Sequence, residues 1–219
     1  GEGAIVMTNS EALYESAFHY HHAGRERGAE SQDFTWPATT LRMSEFEAAM
    51  GLGAISRLGE QADRRFANLK YLHAGMEQIP GLTGLEIDPR VTRWNPFRWH
   101  FKFVPEEFDG VHRDQFRKAL CAEGVPCGIG PTKPLYTFSM FAKGEWGKTG
   151  CPVRCPLYQG PPVDYTTTHC PEAERIHTTE ALDLQHTILL GPRKNMDLIL
   201  DTFRKLRSNV DELRKIDHA

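Results

Sequence analysis

A long amphipathic helix is the feature that most constrains the fold of this 219-residue chain. Ser44 and Glu47 form the S-x-x-E pattern of a capping box, in which each side chain satisfies a backbone amide of the first turn. Apolar residues then recur at helical spacing until Pro80-Gly81, a pair that stops a helix. We therefore predict two joined helices of about 35 residues in total, which act as a spine between two lobes.

The composition is that of an ordinary globular protein. Hydrophobic residues make up 40% and charged residues 25% of the chain, and the net charge is −3. This balance leaves no basic surface for nucleic acid, and no apolar run approaches the roughly 20 residues that span a bilayer. Five cysteines are an odd and sparse set, which favours a reducing cytoplasm over a disulfide-stapled secreted fold.

The segments on either side of the spine predict an α/β chain whose second part is an α+β lobe. Trp99, Phe101 and Phe103 alternate with polar residues, which is typical of a half-buried strand. Residues 130–168 hold many prolines and glycines and are predicted to form a long functional loop. The other predictions are strands at 4–8, 82–87, 99–104 and 187–190, a strand-like segment at 124–129, and helices at 11–22, 113–123, 171–180 and 195–210.

Two groups of cysteines and histidines raise the question of a metal site. Thiolates and imidazoles are zinc ligands, but the spacing of the first group is not that of a usual zinc knuckle. Buried or surface thiols explain the first group, and a solvated helix end explains the second. We predict no metal site, and zinc at the first group is left open. The groups are Cys151, Cys155, His169 and Cys170, and His19, His21 and His22.

Six stretches follow one another in a recognisable order. The first two are GEGAIVMTNSEALYESAFHYHHAG and TLRMSEFEAAMGLGAISRL. The other four are RDQFRKALCAEGVP, PLYTFSMF, CPLYQGPPVDYTTTHCPEAERI and LLGPRKNMDLILDTFRKLRSNVDEL. Together they resemble the DegT/DnrJ/StrS family of pyridoxal-phosphate-dependent aminotransferases. The likeness is strongest to the branch of scyllo-inosose aminotransferases and 3-amino-5-hydroxybenzoate synthases.

The resemblance implies part of a PLP-transferase fold of type I. Residues 1–58 would be the C-terminal part of the large cofactor-binding domain with the start of the spine, and residues 59–219 a complete small α+β domain. The implied reaction moves an amino group from glutamate or glutamine to a keto-sugar or keto-cyclitol, with pyridoxal phosphate as cofactor. Relatives of this kind are homodimers with active sites between the subunits.

The resemblance also assigns roles to three residues. Arg42 matches the arginine of the family's second signature and Thr40 its asparagine, so both are expected near the cofactor phosphate of the partner subunit. Thr40 departs from the pattern, because a hydroxyl has one donor where an amide has two. Tyr136 stands where many relatives carry a histidine that faces the substrate, and its hydroxyl could hydrogen-bond a sugar.

No catalytic residue is assigned within the chain. The resemblance places the lysine that forms the Schiff base upstream of Gly1, and Lys70, Lys102, Lys118 and Lys133 do not match its motif. We therefore expect the isolated chain to be inactive and to expose apolar surface in its first lobe. The alternative is a non-catalytic dimerisation or regulatory module on the same scaffold, which the Thr40 departure favours weakly.

Overall fold

The computed structural model describes residues 3–29, 33–130, 133–144, 150, 155–161 and 163–217. Its contacts divide the chain into one unit that ends at Glu60 and a second that begins at Gln61. The helices are α1 (Glu11–His21), α2 (Glu45–Met76), α3 (Arg113–Ala122), α4 (Ser139–Ala142), α5 (Pro171–Arg175), α6 (Arg193–Ser208) and α7 (Val210–Leu213). The strands are β1 (Leu82–Gly84), β2 (Arg98–Phe103) and β3 (Ala181–Gln185). Short 3-10 turns lie at Pro105–Phe108, Leu135–Thr137, Tyr165–Thr167 and Ile188–Leu190.

Helix α1 in the first unit has well-defined ends. The Ser10 hydroxyl accepts a hydrogen bond from the Leu13 amide at 3.4 Å, which satisfies one of the free amides of the first turn. At the other end Gly24 has a φ of +79°, and its amide donates to the His19 carbonyl at 2.7 Å. The predicted helix at 11–22 is confirmed to within one residue.

The predicted strand at residues 4–8 is wrong. These residues form neither helix nor strand, and among the described residues no other segment pairs with them. A β-rich sequence becomes a strand only when a neighbour accepts its backbone hydrogen bonds. Large apolar side chains of the first unit are exposed, among them Val6, Met7 and Phe46. This agrees with the apolar surface expected for the first lobe.

Helix α2 is one continuous helix of 32 residues, rather than the two joined helices that we predicted. The capping box at its start is confirmed: the Ser44 amide donates to Glu47 Oε2 at 2.9 Å, and the Glu47 amide donates to Ser44 Oγ at 3.3 Å. Its three glycines before residue 60 cost about 1 kcal/mol each relative to alanine, but no proline interrupts the backbone. Its buried side chains begin at Ala62.

The second unit contains a three-stranded antiparallel sheet in the order β1-β2-β3. Trp99, Phe101 and Phe103 of β2 are buried, and the residues between them are half-buried. This confirms the predicted alternation. The predicted strand at 187–190 is wrong, because Ala181–Gln185 pairs with β2 instead and Ile188–Leu190 forms a 3-10 turn.

Helices α2, α3 and α6 supply the rest of the core. Phe116 of α3 lies 5.1 Å from Phe103, centroid to centroid, and Phe203 of α6 lies 5.6 Å from Phe101. The predicted helix at 171–180 begins as α5 and continues as a π-helical turn, Ile176–Glu180. No helix within the described ranges combines the length and apolarity of a membrane span.

Candidate functional site

Thr40 and Arg42 lie on a segment that runs beside the end of α1. Thr40 pairs with His22 in an antiparallel bridge. The Leu41 amide donates to the His21 carbonyl at 3.1 Å. This pairing holds residues 40–42 against the end of α1, although they are about 20 residues away in the sequence.

The end of α1 and this segment form a cationic group. Burial lowers the pKa of His22, and the positive charges of Arg42, Arg25 and His21 lower it further. The Nε atom of Arg25 is buried and has no hydrogen-bond partner among the described residues. The positive charge of this group is suited to an anion.

Tyr136 lies in the second unit, where its hydroxyl donates a hydrogen bond to Glu174 Oε1. The Cys170 amide donates to the same hydroxyl at 3.4 Å, and His169 Nδ1 lies 3.1 Å from Glu174 Oε1. The bond to Glu174 raises the pKa of Tyr136, and the same bond lowers the pKa of Glu174. At neutral pH the tyrosine is therefore protonated and the glutamate is ionised.

A buried carboxylate anchors the start of the segment that leads to Tyr136. The side chain of Asp183 on β3 has no exposed surface, and its Oδ1 lies 2.6 Å from Nη1 of Arg98. The Gly130 amide donates to Asp183 Oδ2 at 2.6 Å. The backbones of Gly128 and Asp183 are also paired. These bonds tie residues 128–130 to the sheet.

The candidate zinc ligands fall on different surroundings. Cys151 lies outside the described residues. Cys155 is buried, Cys170 is exposed, and His169 contacts Glu174. Within the part of the chain that the structure describes, no three His, Cys, Asp or Glu side chains form a group able to hold a metal. The zinc alternative at the complete set of four stays a prediction.

His19 of α1 and the four lysines considered above each contact a neighbouring residue of this chain. The His19 ring stacks on Trp36 with centroids 5.3 Å apart. The lysine contacts are a cation–π contact of Lys70 with Phe66, an ion pair of Lys102 with Glu180, and bonds from Lys118 to the Asp217 carbonyl and from Lys133 to the Thr137 carbonyl.

Sequence reasoning missed the partners of the predicted site residues. Glu174 belongs to a charged helical stretch with nothing to distinguish it from Glu172, and it is 38 residues from Tyr136. Arg25 stands in a polar loop without periodicity. No local pattern could have identified Glu174, because it meets Tyr136 through a tertiary contact. Arg25 lies three residues from His22 and affects the pKa of that histidine, which no sequence motif marks.

Comparison with known proteins matches residues 1–159 to the model of the DegT/DnrJ/EryC1/StrS aminotransferase family. A protein of Streptoalloteichus tenebrarius, named as an L-glutamine:3-amino-2,3-dideoxy-scyllo-inosose aminotransferase, is 33% identical over 219 residues. A protein of Micromonospora echinospora with the same name is 30% identical over 222 residues. Each match covers 98% of this chain and 51% of the relative.

The chain thus spans about half the length of the curated relatives it matches. Among solved structures, that of 3-amino-5-hydroxybenzoic acid synthase superimposes with a TM-score of 0.66 at 21% identity, over 90% of this chain and 47% of that one. These matches confirm the predicted fold class, an α/β chain that forms part of a PLP-transferase fold of type I.

Proposed function

Because the chain belongs to the DegT/DnrJ/EryC1/StrS aminotransferase family, we propose that its protein transfers an amino group from L-glutamine to a keto-cyclitol. The observation that carries the proposal is the family match over residues 1–159. The names of the two relatives support the donor and the acceptor class. Those names specify an acceptor that already bears an amino group, and we extend this property to the present protein.

The cationic group of the first unit fits the phosphate of pyridoxal phosphate. Arg42 and Arg25 would neutralise the phosphate charge, and the Thr40 hydroxyl would donate one hydrogen bond. We place this cofactor in the site of a partner subunit, so that the working protein is a homodimer. The cofactor, when bound, carries the amino group between donor and acceptor.

Tyr136 is proposed to contact the acceptor, with its hydroxyl held in one orientation by Glu174. The Schiff-base lysine is proposed to lie outside this chain, since none of its lysines stands in the family's lysine motif. We therefore expect the 219-residue chain alone to yield no borohydride-stable adduct with pyridoxal phosphate. A stoichiometric adduct on this chain would overturn that part of the proposal.

The test uses the complete gene product that contains this chain, loaded with pyridoxal phosphate. L-Glutamine should change the cofactor absorption, and the amino-bearing keto-cyclitol should reverse the change. Loss of the proposed charge-assisted contact between Arg42 and the phosphate, in Arg42→Ala, should weaken cofactor binding by about tenfold or more. The matched control is Arg57→Ala, at an exposed position of α2, which should bind the cofactor normally.

Two outcomes would contradict the proposal in different ways. Failure of the complete, cofactor-loaded protein to exchange amino groups with glutamine would reject the aminotransferase and favour the dimerisation or regulatory module. Normal cofactor affinity of Arg42→Ala in an active enzyme would reject only the phosphate site.

A further inference from the structure

The hydrogen bonds around Tyr136 determine which kind of ligand group can join them. A phenol has one donor hydrogen, and that of Tyr136 is already given to Glu174 Oε1. One of its acceptor positions receives the Cys170 amide. Towards a ligand, the hydroxyl can therefore only accept a further hydrogen bond.

Glu174, like Tyr136, can only accept hydrogen bonds from a ligand. Its Oε1 atom accepts from Tyr136 and contacts His169 Nδ1 at 3.1 Å, so the hydrogen at Nδ1 points to the carboxylate. Its other oxygen, Oε2, has no hydrogen bond among the described residues, and the side chain is 40% exposed. The carboxylate is ionised at neutral pH and accessible, and it offers acceptors only.

The neighbouring carboxylate on α5, that of Glu172, differs from Glu174 because it is paired with an arginine. Glu172 contacts the guanidinium of Arg175 at 2.5 Å, and Arg175 also pairs with Glu180 at 3.1 Å. The positive charge that is nearest in sequence is thus committed away from Glu174. Within the described residues, the charged contacts of Glu174 are limited to His169. This leaves a negative charge and two acceptor atoms side by side.

We propose that the Tyr136–Glu174–His169 cluster recognises the ammonium group that the acceptor already carries. The inference rests on the proposed function and adds the residues that select the amino-bearing acceptor. An ammonium group brings three donors and a positive charge, whereas the hydroxyl of an unaminated cyclitol brings one donor and no charge. Charge-assisted hydrogen bonds are roughly twice as strong as neutral ones, so the cluster prefers the amine.

The direct test is a pair of titrations of the complete gene product that contains this chain, followed by NMR. The probes are scyllo-inosamine and scyllo-inositol, which differ by a single amino group. The amine should bind about tenfold more tightly than the polyol. Glu174→Gln should abolish this preference, because it removes the charge and keeps the size of the side chain.

Glu172→Gln is the matched control, because it also removes a carboxylate from α5. The Glu172 side chain is 75% exposed and pairs with Arg175. This variant should leave the preference intact. Equal binding of the two probes, absence of binding of both, or a preference that persists in Glu174→Gln would each overturn the inference. Unchanged circular dichroism of the variants confirms that they fold.

A second measurement in the complete protein separates this inference from the proposed function. Glu174→Gln should raise KM for the amino-bearing acceptor about tenfold and leave the half-reaction with glutamine unchanged. If wild-type protein transfers amino groups but Glu174→Gln has normal KM, the recognition role fails and the function stands. If the complete protein prefers the amine in the titrations but transfers no amino group, the function fails alone.

Discussion

Replacement of Arg98 by methionine is expected to destabilise the second unit more than its partial exposure indicates. Its partner Asp183 has no exposed side-chain surface, while the Arg98 side chain is 38% exposed. Without the guanidinium, the buried carboxylate keeps one described side-chain bond, from the Gly130 amide. Breaking a buried ion pair by removal of one partner costs about 3–5 kcal/mol, because the other charge is left uncompensated.

The opposite replacement, Asp183→Ala, should cost less. It forfeits two bonds to a charged acceptor, worth about 1.5–3 kcal/mol each, but Arg98 can turn to water and recover part of its hydration. We expect a net loss of about 3 kcal/mol. The double variant should be more stable than the sum of the two losses predicts, with a coupling energy above about 1 kcal/mol.

Urea unfolding of the four proteins gives these free energies, provided that the m-values agree. Arg204→Met is the control, since Arg204 pairs with Asp201 at 2.8 Å on the exposed side of α6, with side chains 52% and 67% exposed. A pair of that kind is worth about 0.2–1 kcal/mol. The reasoning is refuted if Arg98→Met costs no more than Arg204→Met, or if the two losses at Arg98 and Asp183 simply add.

Three further predictions concern single residues. The buried side chain of Asn68 donates to the backbone carbonyls of Leu189 and Gly191 at 2.8 and 2.9 Å. Asn68→Ala should therefore lower the free energy of unfolding by about 1–3 kcal/mol, and a loss below about 0.5 kcal/mol in urea titration would contradict this. Burial raises the pKa of the Cys127 thiol from its ordinary 9.0 to about 12. Between these pH values the folded state holds a proton that the unfolded state releases, so the free energy of unfolding should fall as the pH rises. Cys127→Ala should reduce this pH dependence when unfolding is measured across the same range. A Cβ at Gly24 would lie 1.9 Å from the Trp36 carbonyl, so Gly24→Ala should speed amide exchange at Trp36, whereas Gly28→Ala, at similar φ with open space around it, should not.

Helix boundaries could be predicted from the sequence because their causes are local. The capping box of Ser44 and Glu47 and the cap at Ser10 each act within three residues along the chain. Such bonds form wherever the helix forms, whatever packs against it. What the local pattern could not show is whether the spine is one helix or two, because glycines weaken a helix without ending it.

Strands were predicted less well because a strand depends on its neighbour. The apolar run at 187–190 has strand-like composition, yet β3 is the less apolar segment before it, with the sequence ALDLQ. Asp183 at its centre argues against a buried strand when only the sequence is considered, since an unpaired buried carboxylate is costly. Arg98 and Gly130 remove that cost through tertiary contacts, which the sequence does not reveal.

The chemistry of the candidate site also depends on tertiary contacts that the sequence does not reveal. The resemblance named Tyr136, and a free tyrosine hydroxyl can donate or accept a hydrogen bond. Which of the two remains for a ligand is decided by Glu174, a residue 38 positions away. A sugar hydroxyl would suit either case, but an ammonium group suits only a site whose donors are already used. The selectivity of such a site is therefore encoded in the partners of Tyr136 rather than in Tyr136 itself.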